Sequence, residues 1–438
     1  MQQVHGKNVT VAGLGRFGGG VAVARWLVRQ GAKVLVTDRD GPDKLADSVA
    51  QLAGEPIEYR LGEHRTGDFA RADLVVASPA IPPSNPYLLA AAAAGVPVTT
   101  EIRLFIERCP ARIVGVTGTK GKSTTASMLA RMLASGFITH LGGNIGLSLL
   151  DKLPTMRADD VVVLELSSFM LDYLGRVGWS PAVALVTMIG VDHVEWHGSR
   201  EAYVAAKTNI VRFQRPGDTA VLCAEDAGAM ALADVCRKTG AKVIAYRVGK
   251  PIELTLLGAH NQLNAAGAMA AAGAMGIDSD KAAKAVRDFE ALPHRLRPVH
   301  AAAGVTFYDD SIATVPESAM AAVESFPPRT VIQIVGGYNA KADIEKMCGR
   351  LAQRAKAVLC IGDTGDAIVA MMEKKRAETG GGAEPIVQRC ANLGLAVQKA
   401  RDIARDGDVV LLSPGCKSYD QFTNFEKRGE EFSRLVRS

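Results

Sequence analysis

Short apolar runs alternate along this chain with longer stretches in which apolar residues recur at helical spacing. The runs are short enough to be strands buried on both faces of a sheet, and the stretches between them are long enough to be helices. Such alternation predicts mainly parallel sheets with helices on both faces. The runs that we interpret as strands cover residues 8–12, 33–37, 73–78, 97–100, 111–116, 161–166, 182–187, 220–223, 331–335, 357–361 and 409–412.

A glycine-rich segment, Gly115-Val-Thr-Gly-Thr-Lys-Gly-Lys-Ser-Thr124, lies between one of these runs and a helical stretch. Such a turn leaves backbone N–H groups at a helix N-terminus, where a polyphosphate can bind. The loop lysine reaches the terminal phosphates and the next hydroxyl binds Mg²⁺, which points to Lys122 and Ser123. The spacing G-x-x-G-T-x-G-K-S is a narrower variant of the general phosphate-loop pattern. We therefore expect ATP or GTP here, held by Gly118, Thr119, Lys120, Gly121, Lys122, Ser123 and Thr124.

A second glycine motif, Gly13-x-Gly15-x-x-Gly18, follows the first run and precedes a predicted helix over 21–30. Asp38 directly follows the next run, about 20 residues after the last glycine, which is the spacing of a Rossmann nucleotide fingerprint. The residues alone leave open whether this loop holds NAD(P), as in an oxidoreductase, or another nucleotide.

Polar residues lie at the end of one other run and after another. The carboxyl ends of parallel strands face the phosphate site, so Glu165 is a candidate Mg²⁺ ligand beside Ser123. His193 follows the next run and is a further candidate. By its spacing alone, Lys207 is typical of a solvated helix face.

Three residues further along the chain could contact the nucleotide. Asn261 and Asn264 are three apart in an alanine-rich stretch, so they share a helix face on which amides could hold a purine. Arg295 could bind a phosphate with both arms of its guanidinium group, although helix capping is the alternative role.

The chain has 438 residues, enough for two to four domains that each bury a core. We expect three α/β domains at 1–108, 109–297 and 298–438. They are a Rossmann-like N-terminal domain, a central P-loop ATPase domain with a mainly parallel sheet, and a C-terminal Rossmann-like domain.

The composition is that of a soluble enzyme. A net charge of +5 without a block of Lys or Arg argues against a nucleic-acid partner. The seven cysteines form no C-x-x-C pair, which is typical of reduced thiols. The beginning of the sequence shows no signal peptide, and no apolar run is long enough to span a bilayer. We expect a cytoplasmic protein without membrane association.

Taken together, these segments resemble the Mur ligases, a family of bacterial cell-wall enzymes, over essentially the whole chain. Residues 115–124, 143–146, 165–169, 192–193 and 207 look like the ATP and metal motifs of the family, and 260–264 and 292–295 look like its adenine-side motifs. Residues 310–314, 336–343 and 412–429 are similar to the glutamate-adding type in particular. The last of these motifs is long and highly specific.

The resemblance implies ATP-dependent amide synthesis. The carboxylate of UDP-N-acetylmuramoyl-L-alanine would accept the γ-phosphoryl group of ATP, and the amine of glutamate would then displace phosphate. The cofactors implied are ATP and two Mg²⁺ ions. We expect a monomer.

The resemblance also assigns roles to individual residues. Lys122, His193 and Lys207 would be catalytic, and Lys207 would be carbamylated so that it joins Ser123, Glu165 and His193 as a metal ligand. Asn261, Asn264, Arg295 and Asp310 would contact ATP. The substrates would be bound by Gly13, Leu14, Gly15, Arg16, Phe17, Asp38, Arg39, Asn144, Ser167, Thr314, Lys341, Ser418 and Phe425.

Three positions depart from the family pattern. Ile312 replaces a lysine expected near the ATP phosphates, and Val315 replaces an asparagine. Lys120 stands where the phosphate loop often has asparagine, and we hypothesise that it partly offsets the charge lost at Ile312. Because these changes lie close to the acceptor motif, both D-glutamate, which we favour, and L-glutamate stay open.

Other functions also fit parts of the sequence. A sister Mur ligase or a folylpolyglutamate-type ligase is the nearest alternative. An NAD(P)-dependent oxidoreductase would use the first glycine motif but leave residues 115–124 unexplained. A nucleotide-gated binding module would use the phosphate loop as a switch without turnover.

Overall fold

The expected α/β fold with three domains is confirmed. The computed structural model describes residues 4–15, 18–146, 148–338, 343–378 and 385–438. It divides into two compact units. The first unit runs to Glu253 and includes Leu263–Val286, and the second comprises Leu254–Gln262 and Arg287–Ser438. The first unit contains two sheets and the second unit contains one.

The N-terminal sheet has five parallel strands in the order β3-β2-β1-β4-β5. The strands are β1 (Asn8–Ala12), β2 (Lys33–Asp38), β3 (Ile57–Leu61), β4 (Leu74–Ala77) and β5 (Val98–Thr99). The helices are α1 (Gly19–Arg29), α2 (Pro42–Ala50), α3 (Thr66–Ala70), α4 (Pro86–Ala93) and α5 (Glu101–Ile106). The adjacent strands β1 and β4 are followed along the chain by strands on opposite sides of the sheet, so their carboxyl ends mark the usual ligand position in an open parallel sheet.

The middle sheet has six parallel strands in the order β11-β10-β9-β6-β8-β7. They are β6 (Arg112–Thr117), β7 (Thr139–Gly143), β8 (Val161–Glu165), β9 (Val183–Val186), β10 (Thr219–Cys223) and β11 (Lys242–Tyr246). The helices are α6 (Lys122–Leu133), α7 (Ser168–Gly175), α8 (Val194–His197), α9 (Arg200–Arg212), α10 (Ala227–Met230), α11 (Ala233–Thr239), α12 (Ala259–Ala274) and α13 (Ser279–Val286), with a 3-10 helix at Leu150–Thr155. Because β6, β8 and β9 are adjacent, their carboxyl ends bring the segments after Thr117, Glu165 and Val186 together.

The C-terminal sheet is mixed. Its order is β12-β13-β17-β14-β15-β16, and only the β12–β13 pair is antiparallel. The strands are β12 (Arg297–Ala302), β13 (Val305–Asp309), β14 (Val331–Gly336), β15 (Ala357–Ile361), β16 (Ile386–Arg389) and β17 (Val409–Leu412). The helices are α14 (Pro316–Glu324), α15 (Glu345–Arg354), α16 (Gly365–Glu378), α17 (Leu393–Ile403) and α18 (Phe425–Leu435). One face packs on α14–α16 and the other on α17 and α18, so the sheet has a core on each side.

Helix α12 belongs to both units. Its first residues fall in the second unit, and its remainder returns the chain to the first unit, where α13 packs against α6. Within the described parts of the chain, none of the helices combines the length and apolar character that crossing a membrane requires.

Candidate active site

The phosphate loop lies between β6 and α6, as expected, and two of its glycines are required by close packing. Gly118 has φ +154°, and a Cβ there would lie 1.9 Å from the Thr187 hydroxyl. Gly121 has φ +84°, and its Cβ would lie 2.4 Å from Asn264 Oδ1. Helix α6 begins at Lys122, whose Nζ donates to the Thr119 carbonyl at 3.1 Å. The loop therefore presents the N-terminus of a twelve-residue helix at the carboxyl edge of the sheet.

The neighbouring strand and helix hold this loop in place. Thr187, just after β9, donates its hydroxyl to the Lys120 carbonyl at 2.6 Å. The Thr119 N–H donates to the Met188 carbonyl at 2.7 Å. The Thr119 hydroxyl accepts from Gly190 N–H and contacts the Tyr203 hydroxyl, both at 2.8 Å. Sequence reasoning missed Thr187 and Tyr203, because nothing in their local patterns distinguishes them from core or surface residues.

Glu165 ends β8 beside the phosphate loop. Its side chain is 1% exposed, and Oε1 accepts from the Asn144 amide Nδ2 at 2.8 Å. The Asn144 backbone N–H also donates to the Glu165 carbonyl at 2.8 Å. Oε2 is buried, and among the residues that the structure describes no hydrogen-bond partner reaches it. A buried carboxylate oxygen without a donor is costly unless a cation binds it, so this site fits Mg²⁺.

Lys207 is buried within α9, contrary to the solvated position that its spacing alone suggests. Its side chain is 2% exposed, and Nζ donates to the Gly118 carbonyl at 2.8 Å and to the Thr117 hydroxyl at 3.3 Å. Burial, and next the charge of Lys122, lowers the pKa of Lys207 well below its usual value, although Asp192 and Glu165 oppose the shift. A neutral amine is the form that reacts with CO₂, so the site is compatible with the carbamate that the resemblance implies.

His193 lies at the start of α8 in a left-handed conformation, with φ +50°. Its ring centroid lies 4.7 Å from that of Phe169. Its Nε2 is 3.5 Å from an Asp192 carboxylate oxygen, and its Nδ1 is 3.9 Å from Glu195. The described residues contain no group of three or more His, Cys, Asp or Glu side chains placed to hold a metal. The predicted ligand set is not a group of this type, because it includes a serine and a lysine.

The first glycine motif forms a loop at the carboxyl edge of the N-terminal sheet. Asp38 accepts from the Gly15 N–H at 3.0 Å through Oδ2 and from the Asp40 N–H at 2.9 Å through Oδ1. The acid of the fingerprint therefore shapes the loop. Leu14 is buried at 1% exposure, so it can offer a ligand only its backbone, whereas Arg39 is exposed. The predicted substrate residues Arg16 and Phe17 lie outside the described residues.

The two predicted amides of α12 occupy different surroundings. Asn264 Oδ1 lies against Gly121 of the phosphate loop. The Asn261 amide donates to the Leu257 carbonyl at 2.7 Å, one turn earlier. Both side chains are buried, at 8% and 7% exposure. Their role toward a purine stays a prediction.

In the second unit, a set of buried polar contacts joins the predicted acceptor motifs. Asp309 binds His294 Nδ1 at 2.7 Å, and this hydrogen bond raises the pKa of His294. Asp310 accepts from the Leu296 N–H at 3.1 Å and from the Ser413 hydroxyl at 2.7 Å. Burial nevertheless raises the pKa of Asp310 to about 7, while Arg295 acts in the opposite direction.

Arg428 links the acceptor motif at 412–429 to the one at 310–314. It is 1% exposed and donates to the Ser311 hydroxyl and carbonyl and to the Cys416 carbonyl at 2.9, 2.8 and 3.1 Å. Burial lowers the pKa of Arg428 to about 10. The Phe425 ring centroid lies 6.0 Å from that of His294, and Ser418 is 2% exposed. Lys341 lies outside the described residues.

The positions that depart from the family pattern have clear surroundings. Ile312 and Thr314 are half-buried, and the Ile312 N–H donates to the His294 carbonyl at 3.2 Å. Val315 is the N-cap of α14 and supplies no capping side chain, where an asparagine would be a preferred cap. Lys120 is exposed on the phosphate loop.

The fold and this site define the class. A phosphate loop beside a buried carboxylate, together with a second nucleotide-type loop in a separate parallel sheet, is the arrangement of an enzyme that uses a nucleoside triphosphate on another nucleotide-like substrate. Three family models match the chain. They are the Mur ligase MurD-like N-terminal domain over 7–100, the Mur ligase middle domain over 116–252 and the Mur ligase glutamate ligase domain over 294–416.

Full-length relatives identify the particular family. The chain is 41% identical over 471 residues to the UDP-N-acetylmuramoylalanine–D-glutamate ligase of Roseiflexus sp. (strain RS-1), covering 100% of this chain and 99% of the relative. It is 35% identical over 461 residues to the enzyme of the same name from Acetivibrio thermocellus, covering 100% and 97%. The chain belongs to the MurD-type Mur ligases.

Solved structures of sister enzymes share the fold. The UDP-N-acetylmuramate-alanine ligase MurC of Thermotoga maritima aligns with a TM-score of 0.64 at 19% identity, over 98% of this chain and 99% of that chain. The MurF ligase of the same organism, in complex with ADP, aligns with a TM-score of 0.58 at 17% identity, over 99% and 96%. At these identities the likeness supports the fold alone.

Proposed function

We propose that this enzyme joins D-glutamate to UDP-N-acetylmuramoyl-L-alanine at the expense of ATP, in the synthesis of peptidoglycan precursors. The observation that carries this proposal is the full-length similarity to ligases of that name, at 41% and 35% identity. Similarity across all three domains favours it over a sister ligase that shares only the fold. We also propose that the enzyme acts as a cytoplasmic monomer.

ATP would bind at the phosphate loop. The backbone N–H groups at the start of α6 and the ammonium group of Lys122 would hold the β- and γ-phosphates. Asn261, Asn264, Arg295 and Asp310 are proposed contacts for the rest of the nucleotide.

Mg²⁺ would be held by Ser123 and Glu165, with His193 and a carbamylated Lys207 completing a two-ion site. The bare Oε2 of Glu165 is the feature that supports this assignment most directly. When bound, Mg²⁺ neutralises charge on the phosphate oxygens during transfer. The Lys207 amine beside Gly118, whose pKa burial lowers well below its usual value, would gain the negative charge that a metal ligand needs by taking up CO₂.

The UDP portion of the substrate would lie on the glycine loop of the first sheet, where Gly13, Leu14, Gly15, Asp38 and Arg39 are proposed contacts. Arg16, Phe17, Asn144 and Ser167 would complete the binding of this substrate. Glutamate would be held in the second unit, with Thr314, Lys341, Ser418 and Phe425 as proposed contacts.

The reaction proceeds in two balanced steps. The alanyl carboxylate oxygen attacks the γ-phosphorus of ATP, the bond to the β-phosphate oxygen breaks, and ADP leaves. The neutral amine of glutamate then attacks the acyl carbon, its nitrogen gives up one proton to solvent, the carbon–oxygen bond to phosphate breaks, and inorganic phosphate leaves as the amide forms. Lys122 stabilises the negative charge that develops on the phosphoryl group.

Phosphate release tests the proposal. The wild-type enzyme with ATP and Mg²⁺ is supplied with UDP-N-acetylmuramoyl-L-alanine and either D- or L-glutamate. We expect release that requires both acceptor substrates and prefers D-glutamate. Lys122→Met should abolish release, whereas Lys152→Met, an exposed lysine of the 3-10 helix, should not. Phosphate release with L-glutamate but not with D-glutamate, or no phosphate release with either, would overturn the assignment.

A further inference from the structure

The turn that follows β4 packs directly against the glycine loop of the N-terminal sheet. The Ser78 N–H donates to the Ala12 carbonyl at 2.8 Å, and the Ile81 N–H closes the turn on the Ser78 carbonyl at 2.9 Å. A Cβ added to Gly13 would lie 2.8 Å from Ser78 Cβ and 3.5 Å from Ile81 Cδ1. The turn 78–81 is therefore hydrogen-bonded to the end of β1 and lies close to Gly13, so the positions of the two segments are linked.

Two side chains of the middle domain bind successive carbonyls of this turn. The Trp196 indole Nε1 donates to the Ala80 carbonyl at 2.8 Å. The Tyr173 hydroxyl donates to the Ile81 carbonyl at 2.6 Å. Tyr173 is buried, at 8% exposure, and burial raises the pKa of its phenol, so the hydroxyl remains a donor at any ordinary pH.

Both donors stand on the segments that carry proposed metal ligands. Tyr173 lies on α7, which begins at Ser168, shortly after Glu165. Trp196 lies on α8, which begins directly after His193. The ring of Phe169, also on α7, lies 4.7 Å from that of His193 and 4.8 Å from that of Trp196. The two ligand segments are thus packed together and tied to the same turn.

The network continues to the ATP side. The rings of Trp196 and His197 lie 4.5 Å apart, and those of His197 and Tyr203 lie 5.5 Å apart. Tyr203 contacts the Thr119 hydroxyl of the phosphate loop at 2.8 Å, and Lys207 Nζ is 5.0 Å from the centre of its ring. Packed aromatic rings therefore connect the turn beside the glycine loop to the phosphate loop.

We propose that Trp196 and Tyr173 are positioning residues that couple the binding of the nucleotide-sugar at the glycine loop to the binding of Mg²⁺–ATP at the phosphate loop. The inference rests on the proposed function. A diphosphate on the glycine loop fixes Gly13 and with it the turn 78–81, and the two hydrogen bonds transmit that position to the His193 and Glu165 segments. Because binding linkage is reciprocal, each ligand raises the affinity for the other by the same factor.

Calorimetric titration of the full-length enzyme measures this factor. The probes are the β,γ-methylene analogue of ATP with Mg²⁺, titrated with and without saturating UDP-N-acetylmuramoyl-L-alanine. Tyr173→Phe removes only the hydroxyl donor. Trp196→Phe keeps an aromatic ring but removes the indole N–H together with the five-membered part of the ring system. Trp179→Phe is the matched control, because Trp179 precedes β9 and lies at the opposite, amino edge of the sheet.

In the wild type and in Trp179→Phe we expect the nucleotide-sugar to tighten binding of the analogue by at least about fivefold. In Trp196→Phe and Tyr173→Phe the ratio should fall below about twofold, while the dissociation constant for each ligand alone stays within about threefold of the wild type. A merely structural role would weaken each ligand alone and leave the ratio unchanged.

Wild-type coupling in both folded variants, or no coupling in the wild type, would overturn the inference. If Trp196→Phe does not fold, as judged by its thermal transition, Tyr173→Phe alone decides. Failure of the proposed function is distinguishable, because the wild type would then release no phosphate with the full set of substrates.

Discussion

Replacing Glu165 with glutamine should stabilise the protein in the absence of Mg²⁺ while abolishing its use of Mg²⁺. The native carboxylate is 1% exposed, and only Oε1 has a donor, the Asn144 amide. Within the described structure Oε2 has none. Glutamine has the same shape, so its oxygen can keep the bond to Asn144 while its neutral –NH₂ group takes the place of Oε2.

The size of the expected stability change follows from comparing the carboxylate oxygen with the amide group that would replace it. A buried ionised group without compensation costs several kcal/mol, whereas a neutral amide N–H left unpaired costs about 1–3 kcal/mol. We therefore expect Glu165→Gln to be more stable by about 1–3 kcal/mol, which is about 2–4 °C in melting temperature per kcal/mol for a domain of this size.

Thermal unfolding in two buffers tests the expectation. In EDTA the variant should melt above the wild type. With Mg²⁺ and the ATP analogue at about 100 times the wild-type Kd, the wild type should gain about 2.7 kcal/mol and the variant much less. Glu195→Gln is the control, because that carboxylate lies near His193 but its side chain is 81% exposed. A Glu165→Gln protein that melts below the wild type in EDTA, or gains as much from the ligand, would refute the reasoning.

Three further outcomes follow from the same structure. Arg428→Lys removes three buried hydrogen bonds from the guanidinium group and leaves acceptors unpaired, at a cost of about 1–3 kcal/mol each. Urea unfolding of the second unit should therefore show a loss of stability. The same change at the exposed Arg434 should show none. The pKa of Asp310 in the folded protein, about 7, lies above its unfolded value, so this group stabilises the fold at low pH and the contribution is lost as pH rises through 7. Denaturation from pH 5 to 8 should show the free energy of unfolding decline by up to about 1.4 kcal/mol per pH unit. Asp310→Asn should lack this decline. Gly118→Ala should weaken binding of the ATP analogue at least about tenfold, because the added Cβ would lie 1.9 Å from a threonine hydroxyl. Gly190→Ala is the control: its added Cβ would have its nearest neighbour at 3.7 Å, so calorimetry should show normal binding. Equal affinity of the two variants would contradict this expectation.

The strands that the apolar pattern identified are mostly interior strands. A strand with neighbours on both sides and helices on both faces must be apolar throughout, and that leaves a run visible in the sequence. Five of the six strands that the pattern did not identify are sheet edges, where half-exposed positions interrupt the run. The six are Ile57–Leu61, Thr139–Gly143, Lys242–Tyr246, Arg297–Ala302, Val305–Asp309 and Ile386–Arg389.

The candidate site likewise has a part that the sequence predicts and a part that it does not. The positions of the phosphate loop and of Glu165 follow from local spacing and from the rule that ligands bind at strand carboxyl ends. The burial of Lys207 does not follow from its helix pattern, because the surface it faces is formed by residues 117 and 118, about ninety positions away. The contacts of Thr187, Tyr203 and Trp196 are also tertiary, and their residue types carry no signal that distinguishes them from ordinary core positions.

The division of α12 between the two units sets an order of events during synthesis. The chain emerging from the ribosome first presents Leu254–Gln262, which belongs to the second unit, and only afterwards Leu263–Val286, which completes the first. Helix α13 packs on α6, the helix of the phosphate loop, so the apolar side of α6 stays partly uncovered until Val286 has emerged. From the end of α6 that interval is roughly 8–30 s at ~5–20 residues per second. While residues 134–286 are made, which is about a third of the 438-residue chain, the nascent ligase therefore carries a completed N-terminal sheet and an unfinished ATP-binding domain. In this interval its uncovered apolar surface needs protection from aggregation.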